Sequence, residues 1–190
     1  MRRRRKLRKV YCVLVEGETE KYYIDALRKA ERCPIKIKPS IVHQISLKDV
    51  KKYIKRYANE EYDKIFWVVD MDTYQDEKEE FCKIRQQISG DAEILVNCPC
   101  FEVWLLLHFE EVNREIHNCG TVINELKGYE LMRNYDKTSG FYQRNNIYQK
   151  LKPYLNTAIV RAKKLDQNTV STKAQIYKLV EEVIKLSSKR

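Results

Sequence analysis

Only five of the 190 residues are glycine, and no two of them stand two residues apart. The chain therefore contains no G-x-G-x-x-G and no G-x-x-x-x-G-K-[ST], which excludes the dinucleotide-binding turn and the Walker-type NTPase loop. It has no G-x-S-x-G nucleophile elbow either. Long apolar runs are also missing. The longest, residues 10–15, falls far short of the ~20 residues a membrane helix needs. Basic residues precede that run, but it is too short for the h-region of a secretory leader. A cytoplasmic location without membrane contact is the resulting expectation. Paired C-x-x-C spacing is absent, so Cys98, Cys100, His108, His117 and Cys119 do not make a structural zinc pattern although they lie close in sequence. The six cysteines read as free thiols rather than a disulfide framework. Cys12 and Cys82 read as core residues.

What is present describes a folded protein, with 43% hydrophobic and 11% aromatic residues. The length suits one compact domain, or a core with a helical appendage, burying roughly two-thirds of its unfolded surface. Charge is plentiful and unevenly placed, at a net +10 from 37 basic and 27 acidic residues. Residues 1–9 carry seven bases and no acid, and residues 148–190 carry ten bases against three acids. Residues 10–147 are left with 20 bases and 24 acids, a slightly acidic core between two basic flanks. Basic flanks are the electrostatic footprint of a polyanion partner, most often nucleic acid. Arg2, Arg3, Arg4 and Arg5 are thus candidate phosphate contacts, or else a solubilising arm.

Continuous apolar runs predict buried strands at residues 9–15, 64–69 and 92–96, with a weaker alternating strand at 35–42. Helical spacing predicts helices at 19–32, 47–58, 76–88 and 101–109, the first stopped by Pro34. Strands and helices that alternate in this way predict a mostly parallel four-stranded sheet covered on both faces. After residue 115 strand signals cease. Helices are expected at 148–164 and 172–186, the latter opened by a Thr172-x-x-Gln175 capping box. The expected organisation is a basic arm (1–9), an α/β core (10–115) and a helical extension packed on it (116–190).

Ligands of parallel sheets bind at the carboxyl ends of the strands, and two acidic clusters fall there. The first strand runs into Glu16-Gly17-Glu18-Thr19-Glu20, and the third into Asp70-Met71-Asp72. Asp70 and Asp72 project to one side of an extended chain, Glu16 and Glu20 stack across a helix start, and Gly17 permits a sharp turn between them. Four hard oxygen donors suit Mg²⁺ or Mn²⁺, one or two ions, rather than zinc. The blander readings are a helix-capping Asp72 and a Glu18 and Glu20 that answer a helix dipole. Glu102, inside an apolar helix, is either a further ligand or a carboxylate partnered by a lysine. His108 reads as a core histidine, and Lys137 as a candidate phosphate neutraliser.

The stretches 15–20, 70–72 and Cys98-Pro-Cys-Phe-Glu-Val-Trp-Leu-Leu-Leu-His-Phe resemble the RloB family, whose core is similar to the Toprim fold of topoisomerases, primases and OLD-type nucleases. The resemblance spans residues 10–109, with a weaker echo in Tyr135-x-Lys137, 158–165 and 171–182. Cys98 stands where the family usually has asparagine. The resemblance implies Glu16 as general acid/base or metal ligand, Asp70 and Asp72 as Mg²⁺ ligands, and Glu20 near the metal. It also implies a prokaryotic phage-defence or abortive-infection setting.

The expected function is a Mg²⁺-dependent nuclease acting on DNA or RNA, tRNA included. The alternative is a non-catalytic nucleic-acid- or partner-binding subunit, active only with an ATPase sensor, since the chain lacks a nucleotide loop of its own. A homodimer face could come from residues 101–109 and the C-terminal helices.

Overall fold

The computed structural model describes residues 9–38 and 46–188. Arg2, Arg3, Arg4 and Arg5 lie outside them, as do residues 39–42 of the second expected strand. Among the described residues five strands form one sheet: β1 (Tyr11–Leu14), β2 (Ile35–Lys38), β3 (Lys64–Asp70), β4 (Glu93–Cys98) and β5 (Lys173–Ala174), in the order β2-β1-β3-β4-β5. The first four run parallel, and β5 pairs antiparallel with β4 through Asn97 opposite Ala174.

Neighbouring side chains of β1 and β3 point to opposite faces, as the pleat requires. Tyr11, Val13, Phe66 and Val68 enter one apolar cluster, and Cys12, Leu14, Ile65 and Trp67 the other. Helices α2 (Leu47–Ala58) and α3 (Lys78–Ile88) cover the second face. The first face is covered by α1 (Glu18–Ala30) and by the chain beyond β4. That later part comprises α4 (Glu102–Leu106), α5 (Cys119–Lys127), α6 (Ser139–Arg144), α7 (Ile147–Leu151), α8 (Leu155–Gln167) and α9 (Tyr177–Ser187). Side-chain caps start several of these helices, among them Ser46 for α2, Asn118 for α5 and Thr138 for α6. After α1 the chain turns through Arg32 at φ 52°, and the Cys33 N–H donates to the Arg28 carbonyl. Pro34 follows and ends the helix, as expected.

The sheet thus has five strands where four were expected, and the added one comes from the region expected to be all helix. The Thr172-x-x-Gln175 pattern does not cap a helix. The Thr172 hydroxyl accepts from the Ile116 N–H at 2.8 Å, and Gln175 exchanges bonds with the backbone of Val96 at 2.9 and 3.1 Å. These contacts hold β5 on the sheet edge and delay the helix to Tyr177. The helix expected at 148–164 is interrupted by a 3₁₀ turn at Lys152–Tyr154, which contains Pro153. The helix expected at 101–109 is only α4. Phe101 and residues Val103 to Leu107 are wholly buried inside this chain and so offer no dimer face. Among the described residues no helix is long and apolar enough to cross a membrane.

Cys82 is exposed on α3 rather than in the core. Cys100 and Cys119 form a disulfide, against the expectation of six free thiols, because the starts of α4 and α5 bring their Cα atoms to 5.8 Å. Cys12, Cys33, Cys82 and Cys98 form no disulfide among the described residues.

Leu179 of α9 is fully buried in the same cluster as Val13, Phe66 and Val68. Leu179→Ala is expected to cost about 2–5 kcal/mol of the stability of the whole chain. Urea unfolding followed by far-UV circular dichroism and by tryptophan fluorescence should shift by the same amount in one transition. Two separate transitions would mean that the region after residue 115 folds on its own.

Candidate functional site

At the carboxyl end of the sheet, Glu16, Glu20, Asp70, Asp72 and Lys137 line one open pocket of about 560 Å³, together with Gly17, Glu18, Thr19 and Thr73. Two elements supply the acids. β1 passes through Glu16 into α1, whose first turn carries Glu18 and Glu20 at the positive end of the helix dipole. β3 ends at Asp70 and continues into a 3₁₀ turn, Met71–Tyr74, that holds Asp72. The Asp72 N–H donates to the Pro99 carbonyl at 3.1 Å and fastens that turn to the end of β4. Asp72 caps no helix through its side chain.

Gly17 has an ordinary extended backbone, φ −114° and ψ 156°, so the expected turn does not depend on its conformational freedom. A larger residue there would have to move the end of the Glu20 side chain. A Cβ there would collide with the carboxylate of Glu20, which packs directly against it.

Glu16 Oε1 accepts from Trp67 Nε1 at 2.7 Å and from the Tyr74 hydroxyl at 2.8 Å, while its buried Oε2 has no hydrogen-bond partner. Burial pushes its carboxyl up to about 7, against the pull of those two donors. Glu20 is almost fully buried and also rises to about 7, through burial first and then through Glu102 and Glu16. Burial, Glu20 and Glu102 raise Asp70 well above the usual carboxylate range. Asp72 is raised by burial and by Glu102, with Lys137 opposing. Asn97 Nδ2 lies 3.4 Å from Asp70. Crowded carboxylates without a cation repel, and the four here line a pocket rather than closing on one point. No three of them bring their oxygens within 4.8 Å of one another among the described residues. Asp72, Cys100 and Cys119 do come that close, but both sulfurs are committed to the disulfide.

Glu102 stands behind the pocket, fully buried, and does not line it. Its Oε1 accepts from the Tyr135 hydroxyl at 2.6 Å and from Thr19 Oγ1 at 3.3 Å, and its Oε2 pairs with Lys137 Nζ at 2.9 Å. Of the two expected roles, the structure gives it the lysine-partnered one. Burial pulls the Lys137 ammonium down, but Glu102, Asp70 and Glu20 more than offset this, and it stays cationic. Tyr142 completes the network, with its hydroxyl 2.8 Å from Thr19 Oγ1 and 2.6 Å from that of Tyr135. His108 is a core residue. Its Nδ1 lies 2.9 Å from the Trp104 carbonyl, and burial lowers its pKa to about 4.

A family model described as RloB-like protein matches residues 11–183, nearly the whole described chain. The chain belongs to the RloB-like family. No curated protein and no solved structure matches it. In this RloB-like chain, sequence reasoning missed Trp67, Tyr74, Tyr135 and Tyr142 as supports of the pocket. Trp67 and Tyr74 look like ordinary core aromatics, and no periodicity links Tyr142 to Thr19, which is 123 residues away. Only the Tyr135-x-Lys137 echo carried a signal.

The raised carboxyls make a stability prediction for the metal-free protein. Folded Glu20 keeps its proton up to about pH 7, whereas the unfolded group loses it near 4.5. The folded state therefore loses stability as pH rises through that window. Glu20→Gln has no proton to lose. In EDTA at pH 8 it should be more stable than wild type by on the order of 1–3 kcal/mol, and the gap should close by pH 5. The opposite contribution of His108 cancels in this comparison. Urea midpoints of both proteins at the two pH values measure the effect, and a gap that does not depend on pH would contradict the assignment.

Proposed function

We propose that this protein is a divalent-cation-dependent nuclease that hydrolyses phosphodiester bonds of DNA or RNA, tRNA included, in a prokaryotic phage-defence setting. The observation that carries this reading is the convergence of Glu16, Glu20, Asp70 and Asp72 with Lys137 in one pocket at the carboxyl ends of parallel strands. The donor set fits Mg²⁺ or Mn²⁺, being all hard oxygens, with a buried Glu16 Oε2 that has no partner in the chain. One or two such ions bound by these four side chains would supply an acidified water and neutralise charge on the phosphate.

The chain's own residues have separate tasks. Glu16, near 7 in the metal-free protein, can take or give a proton at working pH. Its position is set by Trp67 and Tyr74. Lys137 is held at the pocket by Glu102 and offers its ammonium to a phosphate oxygen, so Glu102 is a positioning residue. The acids on β1 and β3 of a parallel sheet also support the Toprim-like reading of the core. The same reading places the protein in the cytoplasm, where nucleic acid is at hand and where an ATPase sensor would serve as its switch.

Purified full-length protein should cleave labelled single-stranded DNA, duplex DNA or RNA in Mg²⁺ or Mn²⁺ and not in EDTA. Asp70→Asn and Asp72→Asn should abolish cleavage. Lys137→Ala should lower the rate on the order of 10²–10³-fold. Wild type should also melt higher with millimolar Mn²⁺, by about 2.7 kcal/mol at a hundredfold excess over the dissociation constant, and the asparagine variants should lose that gain. A wild type that ignores divalent cations, with variants that melt lower than it in EDTA, overturns the proposal.

The same reading assigns the arginine arm to phosphate contact. Deleting residues 2–8 removes six positive charges. It should weaken oligonucleotide binding for all sequences alike and flatten the plot of log affinity against log salt. An unchanged slope would make the arm a solubilising tail.

A further inference from the structure

The near-neutral balance of residues 10–147 conceals a separation of charge. Residues 21–58 hold eleven bases and three acids, and the other residues of that stretch hold nine and twenty-one. This basic segment comprises most of α1, then β2 and α2. Because β2 is the outer strand of the sheet, with α1 on one face and α2 on the other, all three elements meet at one edge of the molecule.

On α1 part of the positive charge is cancelled, since Arg28 and Lys29 both pair with Asp25, but most of that on β2 and α2 is not. Lys36, Lys38, Lys48, Lys51, Lys52 and Arg56 make no ion pair among the described residues, although Lys55 pairs with Asp91. On α2, Lys48, Lys52 and Lys55 form an exposed stripe away from the buried Leu47, Val50, Ile54 and Tyr57, with the half-buried Lys51 beside it. The β2 lysines rest on aromatic rings, Lys36 at 5.6 Å from the Tyr62 centroid and Lys38 at 5.5 Å from that of Tyr57.

The C-terminal basic surplus behaves differently. Lys152 pairs with Glu31, Lys163 with Glu181, Lys164 with Glu111 and Lys178 with Asp166. Lys173 is spent on three backbone carbonyls at the end of α8.

Between α1 and β2 runs a groove of about 380 Å³ lined by Lys21, Arg28, Lys36 and Lys38, together with Asp25 and two isoleucines. Its lining adjoins that of the acidic pocket through the backbone. The Val15 N–H, one residue before Glu16, donates to the Lys38 carbonyl at 3.0 Å, and the Lys21 N–H reaches the Gly17 carbonyl at 3.3 Å. A pocket of carboxylates repels a polyanion, so a phosphate chain can be held there only by cations beside it.

We propose that the β2 edge, with the lysine stripe of α2 and the adjoining face of α1, is the track that binds the phosphates of a nucleic-acid strand and leads it into the acidic pocket. Where the strand leads rests on the phosphodiesterase reading above, but its binding along the edge does not. Two lysines on an edge strand also discourage edge-to-edge aggregation. That role accounts for Lys36 and Lys38 but not for the α2 stripe.

The test uses full-length protein in EDTA and fluorescein-labelled DNA and RNA oligonucleotides, with affinity measured across a salt series. Lys36, Lys38, Lys51 and Lys52 are changed together to Gln. A control changes Lys127, Lys150, Lys163 and Lys185 to Gln, removing the same charge elsewhere. Both variants should show the wild-type circular dichroism spectrum. The track variant should bind at least tenfold more weakly at moderate salt, with a log–log slope flattened by about 3, while the control keeps nearly the wild-type slope. Equal flattening in both variants, or none in the track variant, overturns the proposal. So does tighter binding to anionic phospholipid vesicles than to oligonucleotides with the same dependence on these lysines. Because no step needs cleavage, a flattened slope in a protein that never cleaves upholds the track and refutes only the nuclease reading. Cleavage with an unchanged slope does the reverse.

Discussion

A carboxyl group shut away from water must find its partners inside the protein, and around Glu102 that requirement organises the pocket. Thr19 ties it to the first turn of α1, and so to Glu20 and to Glu16 beyond Gly17. Tyr135 and Lys137 bring in the segment after α5. The disulfide joins Cys119 to Cys100, two residues before Glu102, so the backbone around it is braced from both sides. The ammonium that faces the acids is thus set by a side chain that never touches the pocket's solvent. Such an arrangement is hard to replace piecemeal, since removing either member of a buried pair strands the other.

Most of the sheet was legible in the sequence, because parallel strands buried on both faces are written as unbroken apolar runs. β1, β3 and β4 announced themselves in this way, and α2 was delimited to the residue. The failures have local causes. β5 is two residues long and owes its place to Thr172 and Gln175 bonding to distant backbone, in a pattern that reads equally well as a cap. The acidic residues of the pocket could be placed from strand ends alone. Their supports could not, since Trp67 and Tyr74 carry no mark that separates a hydrogen-bonding aromatic from a packing one. Averaging charge over residues 10–147 hid the basic edge, and only the strand order gathers α1, β2 and α2 on one side. The pairing of Cys100 with Cys119 had no spacing signal. It stands in tension with the expected cytoplasmic setting, where disulfides are rare.

The electrostatic design has two poles at close quarters. Carboxylates crowd the carboxyl end of β1 and β3 at the expense of their own ionisation, and uncompensated lysines line the neighbouring edge. Each pole alone is a liability: the first strains the fold at neutral pH, and the second invites non-specific contact with any anion. Side by side they suit opposite components of the proposed assembly, cations in the pocket and phosphates along the edge.

The route of the chain through this architecture also fixes the order in which it can be completed on the ribosome. The four acids lie within the first 72 residues, whereas the ammonium among them arrives only at residue 137, and the strand that closes the sheet edge at Lys173–Ala174. An emerging polypeptide exposes the acids long before it contains the lysine or the helices that bury Glu102. The pocket therefore cannot be completed before residue 137 has been added, and a nascent chain shorter than that carries the carboxylates without the positive charge set among them.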